Sequence, residues 1–125
     1  MSFSGKTILL VEDDMVSAIV ISSFLEEWNL SVHRAHNGAE AVRMIQEDMR
    51  FDLILMDISM PVLNGLTATA RIREHYELRT IPILAVTAHH EAEMREGAQA
   101  CGFTAYVTKP IDFDWLDDLI KGLIA

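Results

Sequence analysis

Short, unbroken apolar runs alternate along this chain with segments whose apolar residues recur every three or four positions, and that alternation leaves few folds open. The first run, Ile8, Leu9, Leu10 and Val11, is cut off by acids and reads as a strand buried on both faces. Asp14 then caps a helix running from Met15 to about Trp28, with Val16, Ile19, Val20 and Phe24 at helical spacing and Asn29 as its stop. The pattern repeats four more times. Strands are expected over 31–35, 51–56, 81–86 and 105–108. Helices are expected over 39–47, 66–75 and 91–100, with a last one capped by Asp112 and striped by Phe113, Leu116, Ile120 and Leu123. Strict alternation of five strands and five helices requires crossover connections. These predict an α/β fold of three layers, a parallel sheet with helices on both faces, and a site at the carboxyl ends of the strands.

With 125 residues, half of them apolar, the chain can bury one substantial core, so residues 1–125 are expected to form a single domain. Acidic residues outnumber basic ones by 19 to 10, a surface field that repels nucleic acid and anionic lipid. The single cysteine, Cys101, rules out an internal disulfide framework and suits a reducing compartment. The polar amino terminus and the early acid Glu12 leave no signal peptide or membrane span, and the expected location is the cytoplasm.

Glu12, Asp13 and Asp14 follow the first strand and Asp57 ends the third, which brings acids to one edge of a parallel sheet. Two readings are open at this point. Converging carboxylates call for a cation, and an all-oxygen site with open water positions suits magnesium, or manganese; alternatively the acids cap the adjoining helix and loop, as Asp14 does in either case. Thr87 and Lys109, at the ends of the fourth and fifth strands, add a hydroxyl and a fixed positive charge to that edge. A cation, an ammonium and a hydroxyl donor are what phosphoryl transfer needs around the equatorial oxygens, with Asp57 as nucleophile.

The segments ILLVEDD, DLILMDISMPVLNG, AVTA and AYVTKP together resemble the receiver domains of two-component response regulators over essentially the whole chain. The resemblance implies a flavodoxin-like (βα)5 fold of strand order 2-1-3-4-5. It also implies phosphorylation of Asp57 by a histidine kinase or a histidine phosphotransfer protein, with Mg2+ held by Glu12, Asp13, Asp57 and the backbone carbonyl of Ser59. Thr87 and Lys109 would hold the phosphoryl oxygens, and Tyr106 would change rotamer together with Thr87 on activation. The Lys109–Pro110 bond is expected cis. Ser59 and His89 fall where receivers line the path of attacking water. One departure from the commonest pattern is Glu12 in the acidic pair, whose longer side chain is able to reach metal through water.

A phosphatase built on an aspartyl phosphate would place its general acid where Ser59 stands and would need a cap domain. A flavin binder would need a glycine- or hydroxyl-rich cradle after the first strand. Adjacent His89 and His90 do not share a face and are read as surface residues. Trp28 is expected in the core, and Trp115, off the stripe of the last helix, against a partner. Either the chain is a stand-alone receiver that signals through a downstream protein target, or it is the receiver of a hybrid histidine kinase.

Overall fold

The computed structural model describes residues 5–47, 50–58, 65–74, 80–87 and 102–124. Five strands, β1 (Thr7–Val11), β2 (Ser31–Ala35), β3 (Leu53–Asp57), β4 (Ile83–Thr87) and β5 (Ala105–Thr108), form one sheet of order β2-β1-β3-β4-β5, every pair parallel. The described helices are α1 (Met15–Glu27), α2 (Gly38–Gln46), α3 (Gly65–Arg73) and α4 (Phe113–Ile124). The helix expected over 91–100 lies outside the described residues, as do Cys101, His89 and His90.

Period-two alternation splits the core in two. Leu9, Val11, Ile54, Met56, Ile83 and Ala85 face α2 and α3, while Ile8, Leu10, Leu53, Leu55, Leu84 and Val86 face α1 and α4. This explains why β1, β3 and β4 are apolar without a break: they are covered on both faces. Fully burying each Val, Leu, Ile or Met side chain among them is worth about 1.5–3 kcal/mol. Among the described residues, no helix is long and apolar enough to cross a membrane.

Local chemistry ends the helices where the residue types require. Asp14 accepts from the Ser17 N–H at 2.8 Å and Asn37 from the Glu40 N–H at 2.8 Å. Asp112 accepts from the N–H groups of Asp114 and Trp115 at 3.1 and 3.2 Å. Asn29, at φ 65°, turns the chain out of α1. The Lys109–Pro110 peptide is cis.

α1 forms as expected, but Val16, Ile19, Val20 and Phe24 lie on its outer face, and Ala18, Ile21 and Leu25 are the residues buried. The helix is apolar nearly all round from Met15 to Leu25, so spacing alone does not decide which side meets the sheet. Phe24 stacks on Phe113 of α4, with ring centroids 3.9 Å apart. Trp28 is partly buried against the α1/α4 core, whereas Trp115 is exposed.

Candidate phosphoacceptor site

Because every strand runs the same way, the residues that end β1, β3, β4 and β5 rise together at the carboxyl edge of the sheet. Glu12 follows β1 and is 1% exposed; Asp57 closes β3 and is 4% exposed. Asp13, beside them, is exposed. One carboxylate oxygen from each of Glu12, Asp13 and Asp57 lies within 4.8 Å of the others. Lys109 reaches in from the end of β5, its Nζ 3.4 Å from Glu12 Oε1 and 3.4 Å from Asp57 Oδ2.

Two buried carboxylates at this distance cannot both ionise without cost. Burial, reinforced by the neighbouring Asp57, pushes the Glu12 carboxyl up from 4.5 to about 7, against the lowering pull of Lys109 and the Asp14 N–H. At Lys109 burial acts to strip the proton, but Asp57 and Glu12 outweigh it and hold the ammonium above its ordinary value. Asp14, which caps α1 through Ser17, is held below the ordinary carboxylate range by that bond and stands in solvent. The donor set is hard oxygen with a deficit of positive charge, one ammonium facing three carboxylates, and it suits a small divalent cation that keeps part of its water shell.

Thr87, buried at the end of β4, shares its sheet face with Tyr106 of β5. The register pairs Ala85 with Tyr106 and Thr87 with Thr108, and Tyr106 packs into the core on the α2/α3 side. Asp57 and Lys109 follow the alternation of the opposite face. Glu12, Asp13, Asp57, Thr87 and Lys109 thus stand at one edge, with Tyr106 on β5 bordering it; Ser59 and His89 lie outside the described residues.

Sequence reasoning passed over Arg34. It stands on the edge strand β2 opposite Leu10, and its guanidinium donates to the carbonyls of Glu12 and Asp13 at 3.1 and 3.2 Å. Nothing in local spacing marks it; the pairing of β2 with β1 brings it to the acidic loop.

A family model described as response regulator receiver domain matches residues 8–121. The polar-differentiation response regulator DivK of Brucella anthropi is 34% identical over 119 residues, covering 95% of this chain and 96% of that protein. Among solved structures, the receiver domain of sensor histidine kinase PA1611 from Pseudomonas aeruginosa is 37% identical. It superposes with a TM-score of 0.89 over 97% of this chain and 98% of its own, and it is described with a magnesium ion in the active site cleft. The receiver domain of Ssk1 from Saccharomyces cerevisiae, solved with the histidine phosphotransfer protein Ypd1, is 29% identical. Its TM-score is 0.89, over 99% of this chain and 92% of that one. The chain spans between 5% and 53% of the lengths of four other curated relatives, three of them named as histidine kinases or as a two-component system protein.

Proposed function

The chain belongs to the response regulator receiver domain family of two-component signalling, and from that membership we propose that residues 1–125 act as one phosphoacceptor domain with Asp57 as the acceptor. The observation that carries this reading is the meeting of Asp57, Glu12 and Asp13 within 4.8 Å, with Lys109 3.4 Å from both buried acids.

An Asp57 carboxylate oxygen attacks the phosphorus of a phosphohistidine on a histidine kinase or a histidine phosphotransfer protein. The new O–P bond forms as the P–N bond breaks, and the imidazole leaves with that electron pair, neutral when its other nitrogen carries a proton. Glu12, Asp13, Asp57 and the Ser59 carbonyl would hold Mg2+ or Mn2+, which when bound would neutralise phosphoryl charge. Lys109 binds one equatorial oxygen and holds Asp57 in place, and the Thr87 hydroxyl binds another. Movement of Thr87 toward the phosphoryl group frees room for Tyr106, on the same sheet face, to change rotamer. The altered surface is read by a downstream protein partner. Water attack at phosphorus later returns the Asp57 carboxylate and inorganic phosphate. The domain thus catalyses only its own phosphorylation and dephosphorylation, in the cytoplasm.

The donor must cover the carboxyl edge, and beside that edge lies the outer face of α1, where Met15, Val16, Ile19 and Val20 are exposed and uncharged. A hollow of about 300 Å³ between Val16, Val20, Pro110, Ile111 and Phe113, with Lys109 at its rim, adjoins them. These surfaces suit an apolar helix of the donor. Incubation with a small acyl-phosphate donor and Mg2+ should add one phosphate to the chain, detected by intact mass, and Asp57→Ala should abolish it. Undiminished labelling of that variant would overturn the assignment.

A further inference from the structure

Two of the three carboxylates at the site sit on peptide units that Arg34 grips. The Arg34 Nε donates to the Glu12 carbonyl at 3.1 Å and its Nη2 to the Asp13 carbonyl at 3.2 Å. Those carbonyls belong to the two peptide planes that flank Asp13. A planar guanidinium bonding both fixes the two planes relative to each other, and with them the direction in which Asp13 projects.

Glu12 and Asp57 are buried and held through their side chains by Lys109, whereas Asp13 is exposed, so packing does not hold it. Its carboxylate must nonetheless stay within 4.8 Å of two other carboxylates that repel it. The constraint reaches it through the backbone. Arg34 is itself anchored: it is half-buried and paired in register on β2, and it lines a hollow of about 210 Å³ together with Ala18 and Ser22 of α1.

We propose that Arg34 is a positioning residue for the divalent cation of the phosphoacceptor site, holding Asp13 in its ligating place by clamping the Glu12 and Asp13 carbonyls. The inference rests on the metal site proposed above.

Charge and geometry act in opposite directions here, and that separates them. A guanidinium beside the acids repels a cation, so a purely electrostatic role predicts tighter binding when the charge is removed and no change when it is kept. A positioning role predicts weaker binding in both cases, because a lysine ammonium cannot donate in a fixed fork. Mg2+ titration of the purified chain by isothermal calorimetry, for wild type, Arg34→Lys and Arg34→Ala, decides the matter, with thermal unfolding of the metal-free proteins measured alongside. Both variants should raise the Mg2+ Kd by about tenfold or more, the usual effect of removing an outer support of a metal ligand. An unchanged Kd in Arg34→Lys overturns the inference, as does tighter binding by Arg34→Ala or a loss of thermal stability without any change in Kd. If Arg34→Ala does not fold, the lysine variant alone carries the test. Absence of Mg2+ binding by wild type overturns the metal site and this inference together, whereas wild-type binding that the variants match overturns only the role of Arg34.

Discussion

Raising the pH in a chelating buffer should destabilise the metal-free chain through one side chain. Glu12 keeps its proton to about pH 7 in the folded state, because burial and the adjacent Asp57 disfavour its ionised form, whereas in the unfolded chain it releases the proton near 4.5. Below 4.5 both states are protonated and Glu12 contributes nothing to pH dependence. Between the two values the folded state binds more protons than the unfolded one, so stability falls as pH rises, and above about 7 the loss is complete. At about 1.4 kcal/mol for each tenfold change in proton affinity, the full loss is about 3 kcal/mol, most of which falls between about pH 5 and pH 8. Urea denaturation followed by circular dichroism across that range, in EDTA, should show this decline for wild type. Glu12→Gln, which copies the neutral acid, should lack it. Titrating groups remote from Glu12 are common to both proteins and cancel in the comparison. Saturating Mg2+ should restore wild type above pH 7, since the ionised carboxylates are the form that binds it, and should do less for Glu12→Gln. Parallel pH profiles for the two proteins in EDTA would refute the assignment of the proton to Glu12.

Two further outcomes test other parts of the molecule. Arg73 donates to the Gly102 carbonyl at 3.0 and 2.8 Å and to the Ile81 carbonyl at 2.6 Å, tying α3 to the starts of β4 and β5. Arg73→Ala should lower the unfolding free energy by about 2–3 kcal/mol in urea titrations while leaving the Mg2+ Kd unchanged, because this staple sits at the opposite edge of the sheet from the acids. Ile19→Glu, on the exposed face of α1, should shift unfolding by no more than about 0.5 kcal/mol. It should leave labelling by a small acyl phosphate intact and slow transfer from a phosphohistidine donor protein by about tenfold; equal slowing with both donors would place the effect within the domain and not at an interface.

Much of this architecture was legible in the sequence because burial on both faces leaves a plain mark. The runs ending at Val11, Met56 and Val86 lack alternation, and three such runs among five strand-like segments separated by helical ones admit little but a parallel sheet. The site followed from topology, since residues far apart in sequence, from Glu12 to Lys109, share an edge once the strands are parallel. Two features stayed hidden for different physical reasons. In α1 the apolar residues encircle the helix, so the stripe through Val16, Ile19, Val20 and Phe24 looked as suited to the core as the one through Ala18, Ile21 and Leu25, and only packing against β1 and β2 chose between them. Arg34 was invisible because its role depends on the register of an edge strand, which no local pattern encodes.

The open face of α1 has a consequence for how the molecule behaves in a crowd of its own kind. An apolar helix in a neutral protein would invite self-association, yet this chain carries a net charge of -9. Two copies approaching through their first helices bring like fields together, and at physiological salt that repulsion acts over about 8 Å, close to contact distance. A partner with a neutral or basic surface meets no such barrier. Acidic composition therefore raises the electrostatic cost of pairing two such helices above that of pairing one with a neutral or basic surface.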